Sequence, residues 1–200
     1  MIVEGKQKIW ADYQKDIPDD HYYYVRSCIR QSFFPASEVT FLDITRNKLG
    51  KDFYENPYHT TCGGIAYHSD SIPQETAMTI IARQFALMHE SGYENYVCSC
   101  ITSFGCYTET LETWHEFPEL EAKIRQYLWD SCKKEFAKPK YLAHSSDIIY
   151  KFRHEIAKQA KFKLVNAKTG KPLKVVEHIG CHYAKMFPSK GFGGAEYPHV

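Results

Sequence analysis

A chain of 200 residues, 44% hydrophobic and 24% charged, has the balance of an ordinary globular protein and the length for one sizeable core or two small ones. Its 25 basic and 24 acidic residues leave a net charge of +1, which gives no electrostatic case for nucleic acid or an anionic membrane as partner. No apolar run approaches the roughly 20 residues of a membrane span, and residues 1–20 lack the basic-then-apolar order of a signal peptide, so the expectation is a cytoplasmic protein with no membrane span. Seven cysteines in a reducing compartment, odd in number and widely spaced, argue for metal ligation or redox chemistry rather than a disulfide framework.

Residues 1–20 read as an N-terminal arm with Lys6, Lys8 and Lys15, at most a short helix around Trp10 and Tyr13, and a turn at Ile17-Pro18-Asp19-Asp20. Residues 21–27, rich in Tyr and Val, predict a first strand that delivers Cys28. A turn over 30–35 and a short helix or irregular crossover through Leu42, Ile44 and Leu49 follow, closed by Gly50. An extended piece around 53–60 then delivers Cys62 on a glycine bend, Thr61-Cys62-Gly63-Gly64.

Ser71-Ile72-Pro73-Gln74 has the spacing of a capping box, and Ala77, Ile80, Ile81, Gln84, Phe85 and Met88 keep helical period up to a stop at Gly92. Residues 93–98 predict a strand that delivers Cys98-Ser99-Cys100. A helix with Leu111 and Trp114 follows, Pro118 interrupts it, and a second helix through Ile124 and Leu128 runs to about Phe136, with Cys132 on its core side. Ser145 or Ser146 caps a helix whose Ile148, Ile149, Phe152 and Ile156 share a face. Asn166-Ala167-Lys168-Thr169-Gly170 reads as a turn, and residues 174–179 as a strand ending at Gly180-Cys181-His182.

This order predicts an α/β fold with a largely parallel sheet: an arm (1–20), a first cysteine-rich domain (21–140), and a connecting helix with the start of a second, related unit (141–200). Ligands of such sheets collect at the carboxyl ends of strands, and Cys28, Cys62, Cys98, Cys100 and Cys181 all follow predicted strands. Glycines beside a ligating thiol let the backbone pass close to a bulky inorganic group, and iron–sulfur clusters use such cysteine sets. Gly191-Phe192-Gly193-Gly194 lacks the Lys-Ser/Thr ending of a phosphate loop, and His178 with His182 is a poor zinc pair at a strand end.

The spacing from Tyr22 onward resembles the B-type subunit of heterodisulfide reductase and the wider proteins with the Cys-Cys-Gly motif. Cys28 matches the cysteine after the first strand, Thr61-Cys62-Gly63 the double-cysteine motif, and Cys100-Ile101-Thr102-Ser103 the Cys-x-x-Cys. The segment ending Glu177-His178-Ile179-Gly180-Cys181-His182 resembles the start of a second repeat. The resemblance implies a redox, electron-transfer subunit that receives electrons from other redox subunits and passes them toward a disulfide or another acceptor. It implies an iron–sulfur cluster held by Cys28, Cys62 and Cys100. Thr61 and Ser103 stand where the family has cysteine, so three of five ligand positions remain, with Cys98, Cys106, His59 or His68 as a source of a further ligand. A four-iron cluster, a zinc ion or an empty site all remain open. The alternative function is a non-catalytic, zinc-stapled scaffold that docks redox partners. A third reading has Cys98 and Cys100 act directly as a thiol oxidoreductase.

Overall fold

The computed structural model describes residues 17–161 and 165–174. Strand β1 (Tyr22–Val25) is buried along its whole length, as a central parallel strand covered on both faces must be. Its side chains alternate between the faces. Tyr22 and Tyr24 join Phe41, Phe53, Val97, Ile148 and Phe152 on one, and Tyr23 and Val25 join Phe85, Tyr96, Phe104 and Trp114 on the other. The rings make specific contacts: Tyr23 stacks on Tyr96 at 5.4 Å, Tyr24 on Phe41 at 5.3 Å, and Phe85 meets Tyr96 edge-on at 5.3 Å.

After β1 come α1 (Cys28–Phe33), α2 (Pro35–Leu42) and a π-helical turn over Asp43–Lys48. Strand β2 (Phe53–Tyr54) leads through a loop to α3 (Gly64–His68) and α4 (Gln74–Glu90). Strand β3 (Asn95–Cys98) is followed by α5 (Ile101–Glu116) and α6 (Pro118–Cys132), and β4 (Tyr141–His144) by α7 (Ser145–Lys151) and α8 (Arg153–Gln159). The fold is α/β: a four-stranded sheet, all parallel, in the order β2-β1-β3-β4, flanked by helices. The chain steps outward from β1 to β2, then returns past β1 to β3. Connections leave β1 and β3 in opposite directions, which opens a crevice at the carboxyl ends between them.

Several elements differ from the sequence expectation. Residues 30–35 are not a turn but the junction of two helices, broken at Phe34 because the residue before a proline is driven out of the helical region. Only two residues of the 53–60 piece pair as strand; Asn56-Pro57 turns the rest, with the Tyr58 N–H donating to Asn56 Oδ1 at 2.8 Å. The capping box at Ser71 does not form: α4 starts at Gln74 behind Pro73, and Ser71 bonds Ser69 instead at 3.0 Å. α6 ends at Cys132, where Lys133 turns left-handed. Strand β4 lies where a connection ahead of a helix was expected; its four residues are too few to show a period. Tertiary burial defines it, with Leu142 on one face of the sheet and Ala143 on the other.

Other expectations match. Gly92 takes φ 78° at the end of α4, and Asn166 Oδ1 accepts from the N–H groups of Lys168 and Thr169 in a turn closed by Gly170. Ile148 and Phe152 are buried, with Ile149 and Ile156 packed beside them. Trp10, Tyr13 and the predicted 174–179 strand with Cys181 and His182 lie wholly or mostly outside the described residues. Among the described residues no helix is long and apolar enough to cross a membrane.

His144, rather than Ser145 or Ser146, caps α7. Its Nδ1 accepts from the Ser146 N–H at 3.3 Å and its own N–H donates to Asp147 Oδ2 at 2.9 Å. Burial, aided by the Arg30 charge, holds its imidazole down at a pKa of about 3 against an ordinary 6.5. A depressed folded pKa means that the unfolded chain takes up the proton first. The stability tied to neutral His144 is therefore complete above about pH 6.5 and is lost as pH falls toward 3. Between pH 7 and pH 4.5, His144→Asn, which keeps a capping side chain, should lose roughly 2 kcal/mol less stability than the parent by urea denaturation. Equal losses would show that His144 does not carry this linkage.

Candidate functional site

Three loops meet at the carboxyl end of the sheet. Cys28 opens α1 just past β1 and is exposed; Cys62 lies on the loop from β2 and is buried; Cys100 caps α5 just past β3 and is half-buried. Because β2, β1 and β3 are neighbours, these loops are too. Glu38, buried on α2, ties two of them together. Its Oε1 accepts from the Ser27 N–H at 3.0 Å, the Ser99 hydroxyl at 2.8 Å and the Tyr24 hydroxyl at 3.2 Å. Gln84, buried on α4, fixes the third, its Nε2 donating to Thr60 Oγ1 at 3.0 Å and to the Thr61 carbonyl at 3.1 Å.

The bend at Cys62 needs its glycines. Gly63 takes φ 73°, a left-handed conformation that favours glycine. At Gly64 a β-carbon would come within 3.2 Å of Cys106 Sγ, 3.2 Å of the Thr102 carbonyl and 3.4 Å of Cys62 Sγ, so this glycine is where α3 packs against α5 and two thiols close in. The Gly64 N–H donates to Cys62 Sγ at 3.4 Å. Thr61, at the first position of the double-cysteine motif, accepts from the Gly63 N–H at 3.3 Å and so serves the turn.

The thiols feel one another. Burial pushes the Cys62 thiol up, opposed by the Ser103 hydroxyl and the Gly64 N–H, while Cys100 and Cys28 raise it further. Burial also works against ionising Cys100, but the Ser103 and Thr102 N–H groups at the start of α5, with the Ser27 and Ser103 hydroxyls, outweigh it and hold this thiol below its ordinary value. Burial pushes Cys98 and Cys106 well above theirs. Ser103, at the family's second Cys-x-x-Cys position, is 1% exposed; its Oγ makes no hydrogen bond of ordinary geometry and lies against the Cys62 and Cys100 sulfurs.

A cavity of about 640 Å³ opens onto this corner, lined by Cys28, Cys62, Thr61, His59, Arg26 and Glu55 among others. Burial would raise the Glu55 carboxyl, but Arg26 and Arg46 pair with it and hold it below the ordinary carboxylate range. Burial and the Arg83 charge lower His59 to about 4, so it is neutral at pH 7; both ring nitrogens are buried and make no hydrogen bond of ordinary geometry.

Of the residues singled out in the sequence, Cys28, Cys62 and Cys100 lie at one corner and Cys106 stands behind Gly64. Cys98 ends β3 inside the core, two residues before Cys100. Cys132 packs at the core's edge on α6, its thiol against the Leu128 carbonyl at 3.3 Å. Cys181 lies outside the described residues. Among the described residues no three His, Cys, Asp or Glu side chains are grouped to hold a metal ion. The sequence reading missed Glu38, Ser27, the hold of Gln84 on the Thr60–Thr61 loop and the Arg26–Glu55–Arg46 network. The one signal for Glu38 was a lone carboxylate one helical turn before the apolar pair Phe41-Leu42.

No family model matches the chain. It is distantly homologous to the B-type subunit of the ferredoxin:CoB-CoM heterodisulfide reductase of Methanosarcina acetivorans, with 24% identity over 193 residues. The match covers 93% of this chain and 59% of that relative's length.

Gly64→Ala should force α3 away from the Thr102 carbonyl, which cannot yield without moving α5. The expected cost is about 1–3 kcal/mol by urea denaturation, with faster alkylation of Cys62 as it loses its cover. Unchanged stability and unchanged Cys62 reactivity would contradict this packing.

Proposed function

We propose that this chain is a cytoplasmic redox subunit that carries an iron–sulfur cluster on Cys28, Cys62 and Cys100 and exchanges electrons with other redox subunits. The observation that carries the reading is the meeting of three thiols at the crevice between β1 and β3, one of them biased toward thiolate by four donors. The distant relative's name, that of a ferredoxin-linked heterodisulfide reductase component, points to the same chemistry, with a disulfide as the terminal acceptor.

The residues fit such a group on three counts. The Ser103 hydroxyl is buried against the Cys62 and Cys100 sulfurs and favours the ionised form of both, as a group beside a thiolate-held centre must. Gly64 keeps the corner clear where a β-carbon would crowd it. The donors are soft thiols, each on its own loop. A cluster spreads its ligands over separate irons, so its thiolates stand further apart than those around one ion. A zinc staple needs four donors within about 2.0–2.3 Å of a single ion, and no group of three is present among the described residues.

When bound, the cluster would supply one-electron transfer. The chain's own residues set the conditions for it. Cys28, Cys62 and Cys100 would hold it; the N–H groups of Thr102 and Ser103 and the Ser27 hydroxyl favour the ionised Cys100 sulfur, and the Gly64 N–H donates to Cys62. Hydrogen bonds to sulfur, and hydroxyls in place of two thiolates, lower the negative charge around the site and raise its reduction potential. Glu38 and Gln84 hold the three loops in place from beneath.

Protein purified without oxygen should be brown and contain iron and acid-labile sulfide in equal amounts, about four of each per chain. Cys62→Ala should lose most of both, and Cys132→Ala should lose neither. A colourless, iron-free preparation of the folded chain would overturn the reading.

A further inference from the structure

A second, open cavity of about 420 Å³ lies on another face of α1 from the thiol corner, bordered by α1, α2, α7 and α8. Cys28 and Gln31 line the thiol cavity, whereas Arg30, on another face of the same helix, lines this one. Its floor is apolar, formed by buried Phe41 and half-buried Ile149. Arg30 and Arg153 line it with Ser145 and Ser146, and among the described residues no Asp or Glu does.

Neither guanidinium has an ion-pair partner among the described residues. Among the described residues Arg30 Nη1 donates to the Ser145 hydroxyl alone, at 3.4 Å. Arg153 lies over the Tyr150 ring at 4.0 Å and donates to the Tyr150 carbonyl at 2.7 Å, which fixes its position while leaving the rest of its fork unpaired by acid. Two buried carboxylates on the bordering helices are engaged by other groups: Glu38 by Ser27, Ser99 and Tyr24, and Asp147 by the His144 N–H. Two half-buried guanidiniums above an apolar floor, at the carboxyl end of a parallel sheet, form a receptor for an oxyanion on an apolar stem.

We propose that this cavity binds the acidic end, carboxylate or phosphate, of a small molecule whose short apolar body rests on Phe41 and Ile149. The site does not depend on the thiol corner holding a cluster.

The test is calorimetric titration of the full chain at low salt with hexanoate, hexyl phosphate and inorganic phosphate. At least one hexyl ligand should bind with a Kd of about 1 mM or tighter, and about tenfold more tightly than inorganic phosphate. The stronger of the two identifies the anion. Arg153→Ala, on the helix surface, and Arg30→Gln, which keeps a donor to Ser145, should each weaken binding about tenfold without lowering the melting temperature. No binding of either hexyl ligand at about 10 mM, equal affinity for inorganic phosphate, or binding that survives both substitutions would each overturn the proposal.

Discussion

One carboxylate oxygen holds the working end of this protein in register. Glu38 Oε1 takes hydrogen bonds from the loop after β1, the loop after β3 and the Tyr24 hydroxyl, all out of solvent. A buried carboxylate is tolerated only when its acceptor capacity is met, so the arrangement is self-enforcing: remove the donors and the charge is stranded, remove the charge and the loops lose their common anchor. Cys28 and Cys100 follow Ser27 and Ser99 by one residue each, and their backbones inherit that placement. Sheet order brings the strands together, and Glu38 joins the exits of two of them.

The parallel α/β fold was legible because the thiols follow apolar runs and because α4 carries an unbroken helical period. Four residues of β1 with three tyrosines read as strand on composition alone. What stayed hidden is what only tertiary contact creates. Strand β4 has no period of its own and exists because both faces of the sheet cover it. The capping box at Ser71 matched a pattern, yet Pro73 sits one position too early for it, just outside α4 rather than in its first turn. Among the site residues, the cysteines could be picked out because thiols are few. Glu38 could not, since a glutamate on a helix is ordinarily a solvated residue, and Gln84 was legible only as a polar member of the α4 apolar period, without its hold on the Thr60–Thr61 loop.

Thr61 and Ser103 gain meaning from their surroundings. In sequence both are departures from a cysteine pattern. In the structure they diverge: Thr61 is exposed and its oxygen supports the glycine bend, while Ser103 is buried and faces two sulfurs. One substitution has become part of a turn; the other keeps a polar atom where a ligand would stand. The corner thus brings three thiols and a hydroxyl toward one another, and the proposed iron–sulfur centre rests on that placement.

The most direct test of that claim is iron-edge X-ray absorption on the anaerobically purified chain. The account predicts a sulfur-dominated first shell together with a short iron–iron distance, the signature of a cluster held by thiolates. Iron surrounded by oxygen and nitrogen alone, with no iron–iron scattering, would contradict it.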